Sequence, residues 1–236
     1  MNRNAFIGRN VEILFKNSIG DNPSVIKKIQ AAFGITANYL NAMSTGIHSE
    51  KADVKMEFAD GHNIDANIKA FKRTSASYNQ LTRTSIAHFS KLFFDDKMQA
   101  ELERRFVAKA AHTGQSFSAE MLPQFEAKAK DILHWAFSFK ESREILVIYE
   151  REDSMMSLYA MKDVMKLIGK QVSMTRNGNI AIGNSVIIQR KGGNGVHSIH
   201  IKKTDLKHPG NNVQVKLKMR DFQVEMKTAL LAQYHI

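Results

Sequence analysis

Three polar side chains in the first third of the chain have the types and spacing of a metal-dependent phosphodiesterase site. Asp53 stands at the start of a short alternating segment, and Asn67 and Lys69 follow after an Asp-Gly turn. Hydrolysis of a phosphodiester needs a carboxylate to hold Mg²⁺, which polarises the phosphoryl group and acidifies a water. A nearby lysine can orient that water or offset the charge that builds on the phosphate. The pattern is one that a metal-dependent phosphodiesterase would use, and the alternative is that Lys69 is only a structural lysine of an edge strand.

Two paired strands are expected to position these side chains. Residues 53–58 and 63–71 have strand-like patterns, and the Asp60-Gly61 pair between them is a strong hairpin signal. Residues two apart on a strand point to the same face, so the amide and the lysine of the second strand lie together. Whether the acid joins them depends on the register of the hairpin.

The register of the hairpin determines whether these three residues can form one site. A two-residue loop pairs Asp53 with Ile68 and leaves Lys69 on the opposite face. A loop with an odd number of residues, or a bulge, pairs Asp53 with Lys69 and brings Asn67 diagonally near. We therefore predict an odd register. In an even hairpin without a bulge, Lys69 is an ordinary edge-strand lysine.

The rest of the chain predicts an α/β protein with a mixed β-sheet. We expect one domain over residues 1–236, with a β-rich C-terminal part in which 170–236 is a candidate DNA-recognition lobe. The predicted helices are 4–19, 24–33, about 85–112, 121–139, 154–168 and a short one at the C-terminus; the further strands are 144–150, several between 172 and 203, and 212–219.

The charge of the chain favours a polyanionic partner. The formal net charge is +11 and the sequence pI is about 9.7. Because no basic amphipathic anchor helix stands out, nucleic acid is a better partner than a membrane. Eight Lys or Arg stand against one acid between Gln189 and Arg220, and glycines interleave with them at 192 and 193. Glycine lets backbone N–H groups approach phosphates closely, so this segment is expected to contact DNA rather than to be a solvated face.

Composition excludes other classes of protein. The chain has no cysteine, which excludes a disulfide scaffold and a thiolate zinc site. Its first residues lack an apolar core of signal-peptide length, and no segment has the length and hydropathy of a membrane span. We expect a cytoplasmic protein with no membrane partner.

Three segments resemble the small type II restriction endonucleases of the MspI group, and its GCGC-cutting member most. They are KADVKMEF, NIKAFKRTSASYNQLTRTSIAHF and GNIAIGNSVIIQRKGGNG. This group of the PD-(D/E)xK superfamily replaces the usual second acid before x-Lys with an amide, as in Asn67-Ile68-Lys69. The resemblance covers the first hairpin through Phe89 and roughly 177–195. It implies a restriction-endonuclease-like mixed sheet flanked by helices.

The resemblance also implies a role for each matching residue. Asp53 is then the principal metal-binding carboxylate, Asn67 a metal neighbour at the degenerate acid position, Lys69 the catalytic lysine, and Mg²⁺ the cofactor. Glu12 on the first helix is a candidate outer carboxylate without a motif. The charge pattern and the resemblance together indicate these DNA-binding residues: Lys72, Arg73, Tyr78, Asn79, Gln80, Arg83, Gln189, Arg190, Lys191, Gly192, Gly193, Lys216 and Lys218.

The sequence therefore predicts a Mg²⁺-dependent type II restriction endonuclease. The resemblance implies hydrolysis of double-stranded DNA at a four-base-pair site with a central CpG, 5′-phosphate ends, and a companion DNA methyltransferase that protects the host. A monomer and a homodimer both fit. Two other functions stay open: a repair or structure-selective nuclease of the same superfamily, and a basic DNA-binding protein without catalysis.

Overall fold

The computed structural model describes residues 3–45, 52–72, 78–139, 143–193 and 200–236. Of the residues singled out above, Arg73 lies outside these ranges. The chain divides into two compact units, and each is drawn from separate stretches of sequence: the first from 1–79, 138–167 and 223–236, the second from 80–137 and 168–222. Residues 223–236 of the candidate C-terminal lobe thus belong to the first unit. Whether the chain is one folding domain stays a prediction.

The first unit is a six-stranded mixed sheet with helices. Its helices are α1 (Arg3–Ile19), α2 (Pro23–Phe33) and α6 (Met161–Leu167), and its strands are β1 (Tyr39–Ser44), β2 (Val54–Phe58), β3 (Asn63–Phe71), β5 (Glu144–Glu150), β6 (Met155–Ala160) and β11 (Leu230–His235). The strand order is β1-β2-β3-β5-β6-β11. Only β3 and β5 run parallel, and the other neighbours are antiparallel. The prediction of a mixed sheet flanked by helices is confirmed at this level.

The first two helices bury one face of this sheet. Val11, Phe15 and Ile19 recur at four-residue spacing on α1 and are at most 3% exposed. They pack with alternate residues of the strands, such as Ile64 and Ala66 of β3. The intervening residues of β3 point to the other face. Strand β5 is buried along nearly its whole length, as its continuous apolar run predicts.

The β2–β3 hairpin has a three-residue loop, so its register is odd as predicted. The N–H of Phe58 donates to the carbonyl of His62 (3.0 Å), and Val54 pairs with Ala66. Gly61 ends the loop at φ +80°, a conformation that favours glycine. This loop is centred one residue earlier than the predicted one. Each residue of β2 therefore faces a β3 residue two positions nearer the turn.

The second unit combines a five-stranded sheet with helices rich in phenylalanine. Its helices are α3 (Ile86–Phe93), α4 (Asp96–Ala110), α5 (Leu122–Phe137) and α7 (Met219–Glu225, whose last three residues fall in the first unit). Its strands are β4 (Tyr78–Ser85, whose first two residues fall in the first unit), β7 (Val172–Met174), β8 (Ile180–Ile182), β9 (Val186–Arg190) and β10 (Asn212–Lys218). The strand order is β4-β10-β9-β8-β7. Buried Phe89, Phe106 and Phe125 fill the helical layer. The β-rich character of 172–218 is thus confirmed.

Two predictions of secondary structure are wrong, two strands were not predicted, and one predicted helical stretch is divided. Residues 154–168 are not one helix, because the apolar MMSLYA segment pairs between β5 and β11 as a strand. The chain ends in strand β11 instead of a helix. The polar segment before Ser85 forms β4, and 39–44 forms β1 at the sheet edge; neither strand has the alternation that signals one. The helix expected over 85–112 divides into α3 and α4, because Asp95 caps the second by accepting from the N–H of Met98.

None of the helices within the described ranges is both long and apolar enough to cross a bilayer.

Candidate functional site

Asp53 directly precedes β2, beside the part of β3 that extends beyond its pairing with β2. Its N–H donates to the carbonyl of Ala66 (3.0 Å), and its Oδ2 accepts from the N–H of Ile68 (2.6 Å). These two contacts bracket Asn67. The acid therefore lies beside the amide, and its predicted pairing with Lys69 is wrong because the loop is centred one residue earlier. Lys69 is two residues further along β3, on the same face as Asn67.

The three residues are positioned by a strand that is fixed on both sides. β3 pairs with β2 as far as Val54 and with β5 along Asp65 to Phe71. Asp53, Asn67 and Lys69 are each half-buried. Their backbones are thus held in a buried sheet while the side chains keep access to solvent. This is the arrangement that a site acting on an external substrate needs.

Glu12 of α1 joins this group through its charge. The pKa of Glu12 is raised, first by burial and then by the negative charge of Asp53, while the positive charges of Lys69 and Arg9 lower it. The position of Glu12 follows from the helix, since its neighbour Val11 packs in the core and leaves Glu12 at the border of the buried stripe. Two carboxylates and a lysine are therefore within electrostatic reach of one another.

The donors present fit a Mg²⁺ ion that completes its shell with water and substrate. Within the described ranges, no three His, Asp or Glu side chains come close enough together to hold a metal by themselves. Mg²⁺ is bound in proteins through one or two carboxylates, several waters and substrate phosphates, so a three-acid cage is not required. Asp53, Glu12 and the amide oxygen of Asn67 are such a donor set. Burial raises the pKa of Glu12 most and the charge of Asp53 raises it further, and a cation bound between the two acids would offset the second effect.

Three glutamines form a ladder across the sheet of the second unit. Gln214 of β10 faces Gln189 of β9 directly in the antiparallel register. The Nε2 of Gln189 donates to the Oε1 of Gln214 (3.4 Å), and the Nε2 of Gln214 donates to the Oε1 of Gln80 on β4 (2.9 Å). Two residues predicted to bind DNA, Gln80 and Gln189, are thus brought together by a third residue, Gln214, that the prediction did not include.

Arg190 is held separately from the ladder. Successive residues of a strand point to opposite faces, so Arg190 and Gln189 diverge. The Nε of Arg190 donates to the Oδ1 of Asn211 (2.8 Å), and the Nδ2 of Asn211 donates to the carbonyls of Lys203 (2.9 Å) and Asp205 (2.7 Å). Burial lowers the pKa of Arg190. Asn211 is fully buried and fixes both the arginine and the loop before β10.

The glycine turn after β9 uses part of its backbone donors inside the protein. Gly192 and Gly193 have φ of +67° and +74°, so the conformation requires glycine as expected. The N–H of Lys191 donates to the carbonyl of Asn212, and that of Gly192 to the carbonyl of Gly210. These two N–H groups shape the turn and are not the ones that a phosphate could meet.

The remaining predicted DNA-binding residues differ in how available they are. Asn79 donates through Nδ2 to the carbonyl of Ala70 (3.0 Å), which uses part of its amide. Lys218 donates to the carbonyl of Asn184 and lies 3.1 Å from a carboxylate oxygen of Asp221. Exposure separates the rest: Lys72, Tyr78 and Arg83 are exposed, and Lys216 is half-buried.

Comparison with known proteins gives a remote likeness to a solved structure. No protein-family model matches the chain, and no curated protein does. Among solved structures, the chain is similar to the restriction endonuclease MspI in complex with its cognate DNA, with a TM-score of 0.41 and 11% identity over 87% of this chain and 82% of that one. MspI gives its name to the group that the sequence motifs resemble. At this TM-score the likeness carries no argument, and the case for a function rests on the side chains described above.

Two buried residues, Gln214 and Asn211, were missed because their roles depend on tertiary pairing. Gln214 alternates with apolar residues along β10 and looks like a surface position until β4 and β9 are placed on either side of it. Asn211 has no motif at all. The sequence offers Glu12 as a candidate acid but does not place it near Asp53. The periodicity of a helix shows which residues are at the edge of its buried face, but it does not show which strand that edge lies against.

Proposed function

We propose that this protein is a Mg²⁺-dependent endonuclease of the type II restriction class. It hydrolyses one phosphodiester bond in each strand of double-stranded DNA at a short site, and the motif resemblance points to four base pairs with a central CpG and to 5′-phosphate ends. A DNA methyltransferase of the same specificity is the partner that such an activity requires in its host. The protein acts as a monomer or a homodimer.

One observation carries the proposal. Asp53 is fixed beside Asn67 by two backbone contacts, Lys69 follows on the same face, and Glu12 lies within electrostatic reach of both the acid and the lysine. An acid, an amide and a lysine at this spacing form a site only in an odd register, and the hairpin has that register. A folding requirement alone gives no reason to gather these charges on one border of the sheet.

Each residue has a separate task in the proposed reaction. Asp53, with Asn67 and Glu12 in support, binds Mg²⁺, which when bound supplies positive charge that activates the phosphate and a water. The backbone contact from Ile68 fixes Asp53, so the carboxylate is preorganised. Lys69 places a cation where charge develops on the phosphate or orients the attacking water.

Binding and base readout fall to other residues. Lysine and arginine contacts with phosphates provide affinity that depends on salt and not on sequence. Side chains such as Gln80 and Gln189 can distinguish base pairs in the major groove, because amides carry both a donor and an acceptor. Arg190, which donates through Nε to Asn211, keeps its terminal nitrogens for a base edge or a phosphate.

The test is digestion of unmethylated phage DNA in Mg²⁺ by the wild type, by Lys69→Ala and by Lys55→Ala, followed by sequencing of the fragment ends. Lys55 is a half-buried lysine on the neighbouring strand β2, paired with Asp65, and is the matched control. We expect discrete fragments that share one tetranucleotide. We expect Lys69→Ala to lower the cleavage rate about 10²–10³-fold, with DNA affinity kept within about twofold, and Lys55→Ala to cut at the rate of the wild type.

Other outcomes would point elsewhere. A smear of fragments without a common sequence would favour a repair or structure-selective nuclease. DNA that stays intact with several divalent metals, together with tight binding, would favour a DNA-binding protein without catalysis. Equal losses in Lys69→Ala and Lys55→Ala would show that the effect comes from the sheet and not from the proposed site.

A further inference from the structure

In the three-glutamine ladder the hydrogen bonds run one way, from Gln189 to Gln214 and from Gln214 to Gln80. This direction determines which amide atom each end residue has available for a ligand. The Oε1 of Gln80 accepts from Gln214, so the Nε2 of Gln80 is turned outward as a donor. The Nε2 of Gln189 donates to Gln214, so the Oε1 of Gln189 is left as an acceptor. Among the described residues, no other hydrogen bond of these two side chains competes with this arrangement. The ladder thus presents a donor at one end and an acceptor at the other.

The middle glutamine, Gln214, is buried, so a change in the direction of its hydrogen bonds would cost free energy. Gln214 is 8% exposed, Gln189 is half-buried, and Gln80 is exposed. A buried amide that loses its partners is destabilised because water does not replace them. Rotation of the Gln214 amide by half a turn would face oxygen to oxygen at Gln80 and nitrogen to nitrogen at Gln189. All three amides must therefore turn together or not at all.

From this geometry, we propose that Gln214 is a positioning residue that sets which base edges the protein accepts at the ladder. The proposal rests on the proposed function, since it concerns the DNA that the same protein cuts. Gln214 does not touch DNA. It fixes Gln80 as a donor toward the O6 or N7 of guanine or the O4 of thymine, and Gln189 as an acceptor from an exocyclic amino group of cytosine or adenine.

The chemistry of base pairs fits such a donor and acceptor. In the major groove, a G·C pair places the O6 of guanine next to the N4 amino group of cytosine, and an A·T pair places the O4 of thymine next to the N6 amino group of adenine. If the hydrogen bonds of the ladder ran the other way, Gln80 would present the acceptor and Gln189 the donor. The base preference at this position is therefore set by a residue that lies beneath the reading surface.

Substitution of Gln214 by Glu and by Met tests this directly. Glu has two acceptor oxygens and no donor, so Gln214→Glu should turn the Gln80 amide around and leave the end at Gln189 unchanged. Gln214→Met has a similar length and fixes neither neighbour. Gln233→Met is the matched control, because Gln233 donates to Ser157 on the sheet of the first unit.

The measurement is binding to a library of duplexes that contains every four-base-pair core in a constant flank, with Ca²⁺ in place of Mg²⁺. We expect Gln214→Met to lower the preference for the best site over its single-base variants about tenfold at one position, with binding to non-specific DNA unchanged. Gln214→Glu should prefer a different base there. Gln80→Glu keeps its contact with Gln214 and offers an acceptor outward, so it should acquire the same new preference as Gln214→Glu.

The outcomes separate this inference from the proposed function. If the wild type selects a site and both Gln214 variants select the same site equally well, the inference is overturned while the proposed function stands. If the wild type itself selects no site, the restriction function fails, and the readout role falls with it. If the Gln214 variants do not fold, the exposed variant Gln80→Glu decides, and an unchanged preference in this variant overturns the inference.

Discussion

The first unit arranges charges, whereas the second arranges neutral amides. At the border of the first sheet, two carboxylates and a lysine are within electrostatic reach of one another, and the pKa of Glu12 is raised, first by burial and then by the charge of Asp53. On the second sheet, Gln80, Gln214 and Gln189 pass hydrogen bonds from strand to strand. Charge repulsion makes the first site ready for a cation, while mutual satisfaction makes the second site rigid. The proposed function, hydrolysis at a selected DNA site, needs both properties.

The two regions are also anchored differently. Asp53 is held by backbone groups of the neighbouring strand. The ladder is held by side chains alone, so its geometry depends on each member being present. We therefore expect substitutions at the charged site to remove cleavage without changing the fold, and substitutions at the amide sites to change selectivity or stability. Four measurements sharpen or break this contrast.

The largest effect is expected for Asp53→Asn. Asparagine can still accept from the N–H of Ile68 through its carbonyl oxygen, but it lacks the negative charge that binds Mg²⁺. We expect cleavage to fall by about 10³-fold, in line with losses caused by removal of key charge-stabilising groups. The rate is measured in single turnover with Asp60→Asn as control, since Asp60 lies in the exposed turn of the same hairpin and bonds His62. A comparable loss in the control would contradict the assignment of Asp53.

The next effect is expected for Asn211→Ala, and it concerns stability. This substitution leaves Arg190 and the carbonyls of Lys203 and Asp205 without their partner. We expect the free energy of unfolding to fall by about 2–3 kcal/mol, because these groups are left unsatisfied beside a fully buried position. Urea denaturation measures it. Asn212→Ala next to it is the control and should change stability by less than about 0.5 kcal/mol.

A smaller effect on cleavage is expected for Glu12→Gln. If Glu12 supports the metal from the border of α1, loss of its charge should lower cleavage about tenfold, as for residues in an outer shell. The Mg²⁺ concentration at half-maximal rate should rise as well. The comparison is Glu57→Gln, a half-buried glutamate of β2. A Glu12→Gln enzyme with the metal dependence of the wild type would exclude Glu12 from the site.

The smallest effect is on the pH dependence of stability. The folded-state pKa of Glu12 is raised above its usual 4.5, so the folded state binds more protons than the unfolded state between these two values. Stability should fall as pH rises through this window, by less than about 1 kcal/mol because the group is partly screened by solvent. Urea denaturation from pH 4 to 7, a range of about three units chosen around the ordinary glutamate pKa, should show a shallower fall in Glu12→Gln. If the free energy of unfolding depended on pH equally in the wild type and in Glu12→Gln, the raised pKa of Glu12 would make no contribution to stability.

The sequence predicted what depends on local pattern. The hairpin, the helices α1, α2 and α5, and the buried strand β5 follow from periodicity, glycine and turn chemistry, and they place Asn67 and Lys69 on one face. Three-dimensional pairing decided the rest. The position of Asp53 depended on a shift of one residue in the loop, which no propensity fixes.

Edge and closing strands were the least predictable. MMSLYA in β6 and the segment that forms β11 are short, and their apolar residues fit a helix as well as a strand. Their state is decided by partners far away in the chain, since β11 pairs with β6 at one edge of the described sheet. Gln214 shows the same limit at the level of function, because its role appears only when β4 and β9 are in place.

The interrupted course of the chain has a consequence for the order of synthesis. The second unit is made complete once Phe222 has been added, but the first unit still lacks β11, with Ala232 and Tyr234 of its core. Until β11 is in place, β6 has an open edge and the sheet that bears Asp53 and Lys69 is unfinished. The strands of the amide ladder lie wholly within 78–218, whereas the sheet of the charged site needs a strand from beyond Phe222 to cover that edge.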